Sequence, residues 1–178
     1  MDRQPFLVEG PVSLRPLTGD DIGPLYAIAS DPLVWDQHPM AERSEWSHFE
    51  SWMRGKLADG GTLVALIEGE GPLASSTYSN LRTEHGGAVE IGSTFLARRL
   101  WGGSTNRAIK RLMLGHAFAH VARVEFLVWD RNFRSRRAVE KIGGRLTERT
   151  EIVEHRGRPV VHLVYEITRD EFAEGPLA

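Results

Sequence analysis

Two adjacent glycines, Gly102 and Gly103, interrupt the run "VEIGSTFLARRLWGGSTNRAIKRLMLGHAF". They divide two patterns that cannot share one element. The residues before them, through Leu96, read as a strand. After them, Ile109, Leu112, Met113, Ala117 and Val121 recur at helical spacing, which predicts a helix with one buried face. The basic residues Arg107, Lys110 and Arg111 are predicted elsewhere on its circumference. Glycine disfavours a helix interior, whereas Ser104 or Thr105 is a good cap, so the helix cannot begin much before Ser104. The next run, "RVEFLVW", is β-branched and aromatic with little outward polarity, as a central strand requires. A strand, a turn, a helix and a further buried strand in succession imply some parallel pairing in the middle of the chain.

The flanking segments extend this reading. "VSLRPL" (Val12 to Leu17) alternates like a strand, and Thr18 or Asp20 can cap a helix to about Ala29. "SEWSHFESWMRGKL" places Trp46, Phe49, Met53 and Leu57 on one helical stripe behind a Ser44 cap. "GGTLVALIEGEG", "LASSTYSNL" and "GGAVEIGSTFL" read as three strands. "NFRSRRAVEKIGG" is a short helix with Asn132 as N-cap candidate and Gly143 as its stop. "RLTERTEIVEHRGRPVVHLVYEI" is a terminal hairpin turning at His155 to Pro159. The predicted order is strand, two helices, three strands, helix, strand, helix, two strands. That is an α+β chain with mixed α/β pairing at its centre. No GxxxxGK[ST] is present and no GxGxxG follows the first strand, so nucleotide-triphosphate and dinucleotide sites are not indicated.

The 178 residues, 41% hydrophobic and 26% charged, are expected to form one domain spanning 1–178. The absence of cysteine excludes disulfides, thiol nucleophiles and thiolate metal sites. No apolar run reaches membrane-spanning length, and the expected setting is cytoplasmic, with no membrane partner. The net charge of −2 is unevenly spread. Between Arg98 and Arg145 there are 12 Lys or Arg against 3 Asp or Glu, and the remainder holds 10 against 21. Such a chain could hold an anion on one side and attract a cation on the other; solvated helix faces would look the same.

The start of a helix presents unpaired N–H groups and the positive end of its dipole, and glycines let a ligand approach that backbone. The turn "RRLWGGST" is therefore a candidate anion cradle, with Arg98, Arg99 and Arg107 adding charge. A groove-reading DNA helix would instead carry its basic residues on one exposed face, and the overall negative charge argues against a nucleic-acid partner. Further along, Asn132, Ser135, Val139 and Ile142 share one stripe, so two polar groups point inward beside two apolar ones. Ser135 needs a partner, either its own helix turn or a ligand. His116 and His120 lie one helical turn apart, but no third ligand accompanies them and no metal site is expected.

Together these segments resemble the GNAT superfamily of N-acetyltransferases. "R99-L-W-G102-G103-S104" resembles its pyrophosphate loop, and "N132-F-R-S135-R-R-A-V-E140-K141-I-G143-G" resembles the N-x-x-S-x-x-x-x-E-K-x-G segment of the RimJ/RimL-type branch. The resemblance runs from about Ser13 to Ile167. It implies a GNAT-like fold: a central, mostly antiparallel twisted sheet with parallel splayed strands in the middle and helices on both faces. It implies acetyl-CoA as co-substrate, held by Phe95, Leu96, Arg99, Leu100, Gly102, Gly103, Ser104, Thr105, Asn106, Asn132 and Ser135, with the pyrophosphate on the N–H groups from Leu100 to Thr105. No metal is implied. The reaction would be direct acetyl transfer to a primary amine, on a small molecule or a protein N-terminus. Glu90 is the candidate base and Ser135 the candidate donor near sulfur. Glu90 could equally be a surface residue on an alternating strand, and Glu125 is a second candidate. The tyrosine that many members carry seven residues after the Asn is replaced by Val139. Trp35 is a candidate acceptor-pocket residue, and a homodimer is possible by analogy. A coenzyme A-binding module without activity, or a nucleic-acid binder, remain the competing readings.

Overall fold

The computed structural model describes residues 1–178 except Arg156. Eight strands form one sheet: β1 (Leu7–Glu9), β2 (Val12–Pro16), β3 (Thr62–Ile67), β4 (Pro72–Arg82), β5 (Ala88–Leu96), β6 (Arg123–Trp129), β7 (Arg145–His155) and β8 (Arg158–Thr168). Their spatial order is β1-β2-β3-β4-β5-β6-β8-β7. Every neighbouring pair is antiparallel except β5 and β6, which run parallel. Five helices cover the sheet: α1 (Ile22–Ala29), α2 (Trp46–Asp59), α3 (Thr105–Phe118), α4 (Phe133–Glu140) and α5 (Arg169–Ala173). The fold is α+β, and among the described residues no helix is long and apolar enough to cross a membrane.

Side-chain alternation divides the core in two. On one face Leu14, Leu63, Ile91, Val124, Phe126 and Tyr165 pack with Ile109, Met113 and Ala117 of α3, Val139 of α4 and Phe172 of α5. On the other, Val64 and Phe95 pack with Leu25 of α1 and Phe49 and Met53 of α2. Thr18 and Asp21 form a capping box ahead of α1, and Arg15 closes on the Asp21 carboxylate at 2.6 and 2.7 Å.

Three features depart from the sequence reading. β1 and α5 have no counterpart in the expected order. In α2 the buried positions are Phe49 and Met53, whereas Trp46 is exposed and Ser44 belongs to a preceding 3-10 turn. Lys110 is not on the outer circumference of α3: it is buried against the sheet.

The parallel pair positions the site. β5 and β6 are in register only over Ala88–Glu90 and Arg123–Glu125, after which they part. The cause lies in β5. Its register against β4 jumps between Ser75↔Phe95 and Thr77↔Gly92, and Ser93 adopts φ +49°. This extra residue is a β-bulge, which bends a strand and sharpens its twist. It also inverts the side-chain phase: Ile91 and Thr94, three apart, both face α3, so Phe95 turns to α1 and α2.

Candidate active site

A cavity of about 260 Å³ occupies the gap where the strands part. Its walls are Ile91 to Leu96 of β5 and Phe126 to Trp129 of β6. One end reaches the turn before α3, and the other opens under the loop between α1 and α2. Because β5 beyond Glu90 and β6 beyond Glu125 do not pair with each other, their facing backbone edges have no strand partner in the gap.

At the first end, Gly102 turns with φ +75°, a conformation suited to glycine, and α3 begins at Thr105. The N–H groups of Leu100, Trp101 and Gly103 are used, donating to the carbonyls of Ala97, Arg98 and Leu100. Those of Gly102, Ser104, Thr105, Asn106 and Arg107 have no acceptor among the described residues. Within and just beyond the expected cradle from Leu100 to Thr105, the open donors are therefore Gly102 and the run Ser104 to Arg107. Four adjacent open N–H groups at a helix start form an anion site.

The arginines of this turn each have a partner elsewhere in the chain. Arg98 pairs with Asp31 at 2.7 Å, Arg99 with Glu70, and Arg107 donates to the Pro176 carbonyl. The Arg99 guanidinium meets an acid on the β3–β4 turn in a solvent-exposed pair. The same holds more widely: Arg111, Arg123, Arg134 and Arg145 also pair with Glu or Asp. Arg98, Arg99, Arg111, Arg134 and Arg145 thus tie this stretch to acids in the rest of the chain, whereas Arg123 pairs with Glu125 inside it.

Of the residues singled out from sequence, Trp35, Phe95, Leu96, Leu100, Gly102, Asn106, Asn132 and Ser135 line the cavity. Gly103, Ser104 and Thr105 stand at its rim in the turn. Asn132 caps α4, its Oδ1 accepting from the Ser135 N–H at 3.0 Å. Asn132→Ala should cost about 1 kcal/mol of stability while Asn132→Asp should cost little, as read by urea unfolding. The Ser135 Oγ makes no hydrogen bond among the described residues and borders the cavity. Val139 is buried in the core and the lining contains no tyrosine.

Glu90 is not in the lining itself, but its carboxylate reaches the edge. A Cβ at position 92 would lie 2.8 Å from Glu90 Oε1, so the carboxylate folds over Gly92, which does line the cavity. Asn80 donates to Oε2 at 2.6 Å. Burial raises the pKa of Glu90, and the Asn80 hydrogen bond offsets only part of this. Glu125 beside it is different. It is buried and bound by Arg82, by Arg149 at 2.7 Å and by Arg123 at 3.2 Å. Burial alone would raise its pKa, but the hydrogen bonds from Arg82 and Arg149 hold it below the usual value. A carboxylate so committed is a poor base, and Glu125 is structural.

Among the lining residues that escaped the sequence reading, Trp101, Arg134, His38 and Lys110 shape the cavity. Trp101 lies under the Arg134 guanidinium at 4.2 Å and donates from Nε1 to the Leu96 carbonyl at 3.3 Å. Arg134 in turn grips Asp36 at 2.8 Å and the Val34 carbonyl at 2.9 Å, tying the α1–α2 loop over the cavity. His38 is half-buried, and desolvation pushes its pKa down to about 3, so it is neutral. Lys110 donates from Nζ to Ser76 Oγ at 2.9 Å and Thr94 Oγ1 at 2.7 Å, beneath the bulge. The histidine pair of α3, His116 and His120, lies away from the cavity, His116 Nε2 meeting the Asp2 carbonyl at 2.7 Å.

The family model described as Acetyltransferase (GNAT) domain matches residues 12–145. Among solved structures, a protein of T. thermophilus described as an acetyltransferase is 27% identical, with a TM-score of 0.78 over 98% of this chain and 95% of that one. RimJ of Mycobacterium smegmatis, solved with CoA-disulfide, is 22% identical with a TM-score of 0.69 over 97% and 90%. Spermidine N-acetyltransferase of Vibrio cholerae, solved with CoA and spermine, is 13% identical with a TM-score of 0.70 over 93% and 99%. The last two share the fold. No significant match is found among curated protein sequences.

Proposed function

Because this chain belongs to the GNAT acetyltransferase family, we propose that it transfers the acetyl group of acetyl-CoA directly to a primary amine. The observation that carries this reading is the gap between β5 and β6 that ends on the open N–H groups of Gly102 and Ser104 to Arg107. An extended ligand with an anionic end fits both parts at once. Acetyl-CoA supplies an activated acyl thioester. The chain supplies donors for its pyrophosphate at the α3 start, and unpaired backbone edges of β5 and β6 for its amide-bearing arm. Asn106, Asn132 and Ser135 border the same channel. We assign the chain to the RimJ/RimL-type branch on the segment from Asn132 to Gly143.

An amine attacks only when neutral, so a base must take its proton. Glu90 has the place for this, at the cavity edge over Gly92, and a pKa raised toward the working range. The departing sulfur needs a hydrogen-bond donor. With no tyrosine in the lining, the unengaged hydroxyl of Ser135 takes that role. Ser135→Ala should lower kcat about tenfold with little change in KM for acetyl-CoA, the pattern of an interaction made in the transition state.

Thermal unfolding with acetyl-CoA, coenzyme A and inorganic pyrophosphate at fixed salt tests the cradle. Acetyl-CoA well above its Kd should raise Tm by several degrees. Thiol release on adding amines then tests turnover. No shift at millimolar acetyl-CoA overturns the reading; a shift without turnover on any amine reduces it to coenzyme A binding.

A further inference from the structure

The acceptor end of the cavity carries an unusual charge balance. Its lining includes Arg43, Arg134, Lys110 and two histidines, and no Asp or Glu. Arg134 is matched by Asp36 and Lys110 is turned to hydroxyls. Arg43 is different. Its guanidinium stacks on Trp52 at 3.9 Å and stands 5.7 Å from Trp35. Its polar contact is His38 Nε2 at 3.4 Å, and no carboxylate lies within ion-pair distance of it among the described residues. His38 Nδ1 already accepts from the Met40 N–H at 3.0 Å, so the neutral ring carries its proton on Nε2 and gives the guanidinium no lone pair.

Arg43 is thus a largely desolvated cation at a cavity wall that bears no carboxylate. Burial lowers its pKa to about 10, which leaves it charged at neutral pH, and the charge of Glu42, next to it in the chain, offsets only part of that lowering. Such a guanidinium can take one negative group from the cavity. The planar fork of arginine suits a carboxylate, held in two hydrogen bonds against the aromatic floor.

We propose that the acceptor is an amino acid, its carboxylate held by Arg43 against Trp52 and its amine presented toward Glu90. This rests on the acetyl-transfer reading above and narrows its acceptor. Two different elements supply the two ends of such a site: the Arg43 guanidinium comes from the loop after α1, and the acidic residue lies over Gly92 of β5. A polycation such as spermidine finds no carboxylate in the lining and meets Arg43 instead.

The test measures thiol release from acetyl-CoA with the proteinogenic amino acids, their amides, their decarboxylated amines, and spermidine. At least one amino acid should exceed its own amide and its decarboxylated amine at least tenfold in kcat/KM. Arg43→Gln should remove that preference, raising KM for the amino acid at least tenfold more than KM for its matched amine. Arg43→Lys keeps the charge and should retain part of it, which separates a binding role from lost packing on Trp52. The proposal is overturned if spermidine or the decarboxylated amines match or exceed the amino acids, or if Arg43→Gln leaves the ratio unaltered. It is equally overturned if acetyl-CoA stabilises the protein but no amino acid releases thiol. Failure of acetyl-CoA itself to raise Tm removes the underlying reading instead.

Discussion

Glu90→Gln is expected to lower kcat/KM for amine acetylation by about 100-fold or more, the usual contribution of a positioned base. The substitution keeps the shape of the side chain and its place over Gly92, and removes only the proton acceptor. In the unaltered enzyme kcat/KM should rise with pH as Glu90 loses its proton. That limb should lie above the ordinary carboxylate range, because burial raises the Glu90 pKa. A second rise at higher pH belongs to the acceptor amine itself. In Glu90→Gln the first limb should vanish and the second remain. Stability should not fall, because a buried carboxylate with a raised pKa disfavours its own charged form. Equal rates and an unchanged profile in the variant would remove Glu90 from the mechanism.

Glu125→Gln provides the contrast. Glu125 is the register partner of Glu90 across the parallel pair, yet three arginines hold it. From the sequence Glu90 was the candidate base and Glu125 the second choice, each on a strand bordering the gap. What separates them is the set of side chains that the fold brings from β4 and β7, namely Arg82 and Arg149. No local pattern carries that information.

The architecture was far more legible than the site. Helical periodicity and glycine punctuation place α3, and the run "RVEFLVW" places β6, so the parallel pair followed from one stretch of chain. β1 is three residues long and α5 five, too short for a period to show. The capping box of α5, Thr168 with Glu171, was nevertheless readable as T-x-x-E ahead of it. The bulge at Ser93 was not readable, since nothing in "IGSTF" demands a positive φ at serine. Without it the strands would not part, and Phe95 would face the other helices. The partners of the arginines were hidden for a related reason. Their density suggested a phosphate site, whereas Arg98 and Arg99 reach acids 67 and 29 positions away. The open N–H groups, which the glycines did announce, are what the turn offers a ligand.

Lys110→Met is expected to stabilise the protein at pH 7 by about 2 kcal/mol. The side chain is buried with no carboxylate near it, and burial lowers its pKa from 10.5 to about 7. That lowering corresponds to about 5 kcal/mol of unfavourable linkage for the charged form. Methionine fills a similar volume and carries no charge. Against this, two hydrogen bonds are lost, each worth about 1 kcal/mol net and somewhat more when a charge donates. Ser76 and Thr94 stay satisfied, because their hydroxyls already bond each other at 2.7 Å. The sign in pH is distinctive. Between about 7 and 10.5 the unfolded chain holds a proton on this lysine that the folded chain has released, so stability should rise with pH across that window. In Lys110→Met the rise should be absent, as urea unfolding at about pH 7 and about pH 9.5 would show. A loss of stability in the variant would mean that the ammonium bridge between β4 and β5 outweighs its desolvation. Lys110 also borders the cavity, so its removal takes a donor and a positive charge from the wall. The stabilised variant should therefore be the less active one.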